Sequence, residues 1–175
     1  MTYLPNSVYI EEKGVFNIVS GPKNTLFPVI GMAVSGPLGK SVYLTDKNTI
    51  LFEKIRELHG SLSLLQWNFQ DEILPILSDS TTPMAIIEYN RYITGKNKNQ
   101  IEELGKGLQS LAKKTNATYL MISTFIDDNL RMLCEYADRV LLVEDKNNDS
   151  EMDFVFKDKA TGCYVRRQKT INDFL

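Results

Sequence analysis

The chain has 175 residues, 43% of them hydrophobic and 24% charged, with a net charge of −2. That is an ordinary globular composition, long enough to bury a core as one domain without staples. It gives no global attraction for nucleic acid or an anionic membrane, and no apolar stretch approaches the ~20 residues of a membrane span. Cys134 and Cys163 lie far apart in no metal-like spacing, and Met1-Thr2-Tyr3-Leu4-Pro5 lacks the charged-then-apolar design of a signal peptide. A cytoplasmic protein with reduced thiols is expected.

Strand and helix signals then alternate along the chain. Val15–Ser20 is an apolar run suited to a buried strand, followed by the turn Gly21-Pro22 and a helical pattern over Leu26–Ser35. Val42–Thr45 reads as a second strand, leading to a helix over Ile50–Leu58 capped by Asp46 or Thr49 and stopped by Gly60. Leu62–Trp67 is a short strand and Asp71–Leu77 a short helix. Pro83–Glu88 is an apolar strand ending in one acid, and a polar loop follows it. Ile101, Leu104, Leu108, Leu111 and Ala112 then recur at helical spacing. Thr118–Ser123 is the next buried strand, Ile126–Ala137 the next helix and Val140–Val143 another strand. Met152–Phe156 and Cys163–Gln168 form an antiparallel pair across the polar turn Asp145–Ser150. Strands alternating with helices of this length imply βαβ units and a largely parallel sheet.

The first strand, turn and helix have the layout of a nucleotide-binding site, but the chemistry is missing. A phosphate cradle needs several glycine-rich amides aimed at one anion, then Lys and a Ser or Thr hydroxyl. Here Gly21-Pro22-Lys23-Asn24-Thr25 is short, four residues separate Gly21 from the helical pattern, and no Gly-Lys-Thr is present. Gly36-Pro37-Leu38-Gly39-Lys40-Ser41 does contain Gly-Lys-Ser, yet Val34 stands where the loop's first glycine belongs. That segment also precedes a strand instead of opening a helix, which makes it a helix-to-strand turn. A displaced phosphate site there is the enzymatic alternative.

Three stretches resemble the RecA/RadA-type recombinase superfamily, which includes archaeal RecA-like ATPases and circadian-clock-type relatives. They are Gly14–Thr25, Pro83–Glu88, and Leu111–Thr124 followed by Tyr136-Ala137-Asp138-Arg139-Val140-Leu141-Leu142-Val143. The resemblance spans nearly the whole chain. It implies a single domain over 1–175, built as a three-layer RecA-like α/β sandwich. The central sheet is mainly parallel, helices cover both faces, and an antiparallel hairpin closes the carboxyl terminus. Against the family pattern, Asp46 matches a strand-end acid, but Asn48 stands where relatives carry the catalytic Glu and cannot act as a base. Glu88 replaces the magnesium-ordering Asp, and Ser123-Thr124-Phe125 replaces a polar sensor ending in Gln. No catalytic residue, cofactor or metal site is therefore expected, with Gly21–Thr25 a degenerate loop and Glu88 a relic that orders its neighbours.

Arg91, Lys96 and Lys98, with Tyr89 and Tyr92, fall in the loop after the Glu88 strand, where recombinases carry their first DNA-contact loop. Cations beside aromatics suit single-stranded DNA, and Arg91, Tyr92, Lys96 and Lys98 are the candidate contacts. Arg166, Arg167 and Lys169 form a second basic group. His59 at a helix end, Asp127-Asp128 at a helix start and Asp149-Ser150-Glu151 in a turn read as structural. The combined expectation is a non-catalytic accessory paralogue assisting DNA recombination or repair. It would act as a homodimer or as a heterodimer with a RecA/RadA-type protein. A clock-type regulatory module without DNA is the other alternative.

Overall fold

The computed structural model describes residues 12–24, 26–27, 30, 41–45, 49, 53–54, 56–57, 63–66, 73–79, 83–145, 151–157, 162 and 164–170. In chain order the elements are β1 (Val15–Ser20), β2 (Ser41–Thr45), β3 (Ser63–Gln66), α1 (Ile73–Asp79), β4 (Met84–Glu88) and α2 (Arg91–Thr94). They continue with α3 (Lys98–Thr115), β5 (Thr118–Ser123), α4 (Asp128–Tyr136), β6 (Arg139–Asp145), β7 (Glu151–Lys157) and β8 (Tyr164–Thr170). Backbone at residues 23, 24, 26, 27 and 30, and again at 53, 54, 56 and 57, is also helical.

One sheet takes all eight strands in the order β3-β2-β4-β5-β1-β6-β7-β8. The first six are mutually parallel, and β7 and β8 then pair antiparallel beyond β6. β1 is central, with Val15 opposite Thr118 and Ile18 opposite Val140. All six residues of β1 and all six of β5 are buried, which is why both read as mostly apolar runs instead of alternating ones, with Asn17 a polar residue buried inside β1.

Phe16, Ile18, Leu44, Ile87, Met121 and Val140 pack on one face against Ile73 and Leu77 of α1, Ile101 and Leu108 of α3, and Leu130 and Leu133 of α4. Strand alternation puts Val19, Tyr43, Ile86 and Leu120 on the other face, and these are buried too. Leu26 and Ile30, from the helical segment after β1, are fully buried outside the first cluster. The α/β class and the mainly parallel sheet expected from the sequence are what the structure has. Among the described residues no helix is long and apolar enough to cross a membrane.

α3 is fixed at both ends. Asn97 accepts the Gln100 amide at 3.0 Å while the Gln100 side chain accepts the Asn97 amide at 2.9 Å, a reciprocal capping box. At the other end Asn116 takes the left-handed conformation (φ 56°) in which a helix stops cleanly. Gly105 lets Tyr136 of α4 lie directly on the α3 backbone: a Cβ there would sit 2.8 Å from the ring Cγ.

Helix starts move relative to the sequence expectation. The helix after β1 begins at Lys23 and not at Leu26, α3 begins at Lys98, and α4 at Asp128 with Asp127 as its cap. Residues 31–40, with Gly36–Lys40, lie outside the described residues, as do Asp46, Asn48, His59 and Cys163. Ser41 is the first residue of β2.

Candidate functional site

Parallel strands bring their carboxyl ends to one rim, where open α/β sheets place ligands. β1 ends there on Ser20, β4 on Glu88 and β5 on Ser123. The Gly21 amide donates to the Ser123 carbonyl at 3.0 Å, and the Leu26 amide donates to the Pro22 carbonyl at 3.1 Å. The second bond opens the helix, so Gly21 and Pro22 alone join β1 to it. Pro22 has no N–H, and that of Gly21 is committed to β5. The connector therefore aims no amide at an anion, and it is shorter than the four-residue gap read from the sequence. Lys23 and Asn24 are exposed in the first helical turn, and Thr25 lies outside the described residues.

Glu88 is equally committed. Its carboxylate accepts the Tyr43 hydroxyl at 2.7 Å and the Thr49 hydroxyl at 3.0 Å. Tyr43 is fully buried, and burial first, then the charge and hydrogen bond of Glu88, hold its phenol far above the ordinary range. Thr49 accepts the Glu53 amide on its own carbonyl at 3.0 Å, the bond that opens a helix, so Glu88 ties the end of β2 to a helix start.

On the β5 side Ser123 donates its hydroxyl to the Phe125 carbonyl, joined by the Ser20 hydroxyl at 3.2 Å. The Phe125 ring is 46% exposed, the only large hydrophobic exposed to this degree among the described residues, and it leans on Tyr89 with centroids 5.4 Å apart. Tyr89 in turn donates to Asp127 at 2.6 Å, and Asp127 caps α4 by accepting the Leu130 amide at 2.8 Å. A cavity of about 400 Å³ opens beside Phe125, lined also by Ser20, Pro22, Ile126, Arg131 and Val143. Among the described residues no three metal-ligating side chains gather. Among the described residues, the Glu88 carboxylate is taken up by two hydroxyls and the connector Gly21-Pro22 offers no free amide.

The nucleic-acid candidates are placed differently from expectation. Arg91 and Tyr92 belong to the helical turn α2, opened by the Ile93 and Thr94 amides on the Asn90 carbonyl, and Lys98 opens α3. Only residues 95–97 lie between the two helices, with Lys96 half-buried and Lys98 exposed. Asn129 of α4 clamps this connection, its amide donating to the carbonyls of Ile93 (3.3 Å), Thr94 (3.1 Å) and Lys96 (3.0 Å). The expected open loop is thus a capped turn. The signal was available: Asn97 and Gln100 stand at capping-box spacing. Arg166, Arg167 and Lys169 fall on β8 at the sheet edge.

Part of the third stretch that resembles the recombinases lies at the opposite rim. Asp138 accepts the Phe16 amide at 2.9 Å and returns its own amide to the Phe16 carbonyl at 2.7 Å. Arg139 pairs with Glu12, whose carbonyl accepts the Thr118 hydroxyl at 2.6 Å. Ala137-Asp138-Arg139 is therefore a lock on the amino end of β1.

No protein-family model matches the sequence, and no curated protein matches it. In structure, 172 solved chains match. One is the crystal structure of the RadB recombinase, with a TM-score of 0.65 at 12% identity, covering 95% of this chain and 93% of that one. At that identity the likeness is one of architecture, and the chain has a RecA-like fold.

Proposed function

We propose that this chain is a non-catalytic RecA-fold accessory protein that works through protein contacts in DNA recombination or repair. The observation that carries the proposal is the two-residue connector Gly21-Pro22, whose single amide is bonded to Ser123. Glu88 supports it, because both groups on its carboxylate come from this chain. The likeness to the RadB recombinase supports the setting. Ser20 and Ser123 support it as well, because both commit their hydroxyls to the Phe125 carbonyl. The protein acts as a homodimer or beside an active relative.

Single-stranded DNA is a weak second ligand in this proposal. Exposed Phe125 offers a stacking face, and exposed Lys98 a cation for a phosphate. Such binding is weak, because it rests on few ionic contacts, and added salt weakens it further.

Titration calorimetry with ATP and magnesium tests the proposal, with no saturable heat expected. Micromolar binding would overturn it, and loss of that binding in Lys40→Ala would assign the activity to Gly36–Ser41 instead. A gel shift with single-stranded DNA at low salt tests the second ligand: a weak shift reduced by Lys98→Ala is expected, and no shift removes DNA from the account.

A further inference from the structure

The seam between α1 and α3 carries two hollows that share the side chains of Leu74 and Pro75. One, of about 410 Å³, is lined further by Ser78, Gly107, Ser110, Leu111 and Lys114. The other, of about 420 Å³, is lined by Lys96, Gln100, Glu103 and Leu104. Leu74 and Leu111 are half-buried against the core cluster and Pro75 is exposed, so apolar surface faces outward along the seam. Gly107 builds it: a Cβ there would collide with Leu74, and without one Leu74 settles on the α3 backbone.

The two hollows differ in charge. Lys96 and Glu103 offset each other in the second, whereas Lys114 is the single ionisable residue lining the first. An apolar trough with a positive end selects both the composition and the direction of what lies in it. We propose that this seam docks a short segment of a partner protein in which two apolar side chains are followed by carboxylates. The apolar pair fills the hollows on either side of Leu74 and Pro75, and a carboxylate meets Lys114. α1 has seven residues, about 10 Å of helix at 1.5 Å per residue. The lining on α3 runs from Gln100 to Lys114, about 21 Å at the same rise. An extended segment advances ~3.3 Å per residue, so six or seven residues span it, with the two apolar side chains four positions apart so that both face the seam. The proposal rests on the protein-contact role above and names its surface, well away from the carboxyl rim of the sheet.

The test is fluorescence anisotropy of the labelled synthetic peptide Gly-Phe-Ser-Gly-Ser-Leu-Asp-Asp titrated with the full chain. Saturable binding is expected, weakened about two- to fivefold by Lys114→Glu, as a rim charge pair is worth. Pro75→Glu should abolish it. That position is exposed in the first turn of α1, where a carboxylate suits the helix, and circular dichroism verifies the fold. Three results overturn the assignment: no saturable binding to the folded protein, equal binding by Pro75→Glu, or equal binding of Gly-Phe-Ser-Gly-Ser-Leu-Lys-Lys. Sedimentation velocity adds a fourth. If the chain alone is a dimer that Pro75→Glu dissolves, a second copy occupies the seam and the partner segment is excluded. Nucleotide calorimetry separates the two proposals: failure of the peptide without nucleotide binding removes the seam alone, and nucleotide binding removes the accessory role.

Discussion

The Tyr89 hydroxyl reaches the Asp127 carboxylate at 2.6 Å, joining the exit of β4 to the first turn of α4 across 38 residues of sequence. Burial first, then the hydrogen bond and charge of Asp127, hold the phenol far above its ordinary range, so it stays a donor at any working pH. Because Asp127 also caps α4, the two functions are coupled. Tyr89→Phe should cost about 1.5 kcal/mol, the worth of a hydrogen bond to a charged group. Asp127→Ala should cost more, since it removes the cap and strands the phenol. Urea denaturation of both variants and the double mutant checks this, with a coupling near 1 kcal/mol expected for residues in contact.

Alkaline pH should unfold the protein by way of its tyrosines. Tyr43, Tyr89 and Tyr119 are all raised from the ordinary value of 10.0, burial being the first cause in each. The unfolded chain loses these protons as pH passes 10, while the folded chain keeps them. Stability is therefore complete below about pH 10 and falls above it, by up to about 1.4 kcal/mol per pH unit for each such group. Denaturation midpoints measured from pH 8 to 11 should stay level and then drop. Tyr43→Phe should flatten the drop, and an unchanged slope in that variant would refute the assignment.

Cys134 should be inert in the native state. Burial lifts its thiol from 9.0 to about 12, outweighing the nearby Lys157 charge. In a Cys163→Ser background, a thiol reagent at pH 8 should leave Cys134 unmodified until denaturant is added. Rapid native labelling would contradict its placement.

The two glycines of α3 should respond differently to alanine, although helix propensity favours the change by ~1 kcal/mol at each. A Cβ at 105 overlaps the ring of Tyr136 close to that residue's own Cβ, which is 3.1 Å away, so α4 itself must retreat. Gly105→Ala should destabilise by about 1–3 kcal/mol, the ordinary cost of overpacking. At 107 the obstacle is the tip of half-buried Leu74, which can rotate aside. Gly107→Ala should fall within about 1 kcal/mol of the parent. Thermal melts of both variants decide the point.

Strands buried on both faces were the easiest part of this fold to read. Val15–Ser20 and Thr118–Ser123 were placed residue for residue, because a two-sided environment leaves few polar positions to blur the run, Asn17 being the one inside β1. The helix starts at Lys23 and Lys98 were read late and that of α4 early, since apolar periodicity marks where a helix touches the core and not where its first turn is capped. Lys98, Asn99 and Gln100 are exposed and carry no such signal. The site was less legible still. Nothing local announces that Tyr43 and Thr49 would take up Glu88, or that Asn129 would hold the turn at 93–96, because these contacts span 33 to 45 residues. The Ala137-Asp138-Arg139 run, part of the stretch that resembles the recombinases, bears on the amino end of β1.

The position of β1 at the middle of the sheet has a consequence for how the molecule is made. Val15 must wait for Thr118, and Asn17 for Arg139, before either of its edges is covered. During synthesis this strand therefore leaves the ribosome as an unpaired, mostly apolar segment, and residues 21–117 are translated before its first partner exists. Long-range closure of this kind is slow and exposed to aggregation. A chaperone that holds nascent apolar segments should engage residues 15–20 and release them once β5 has been translated.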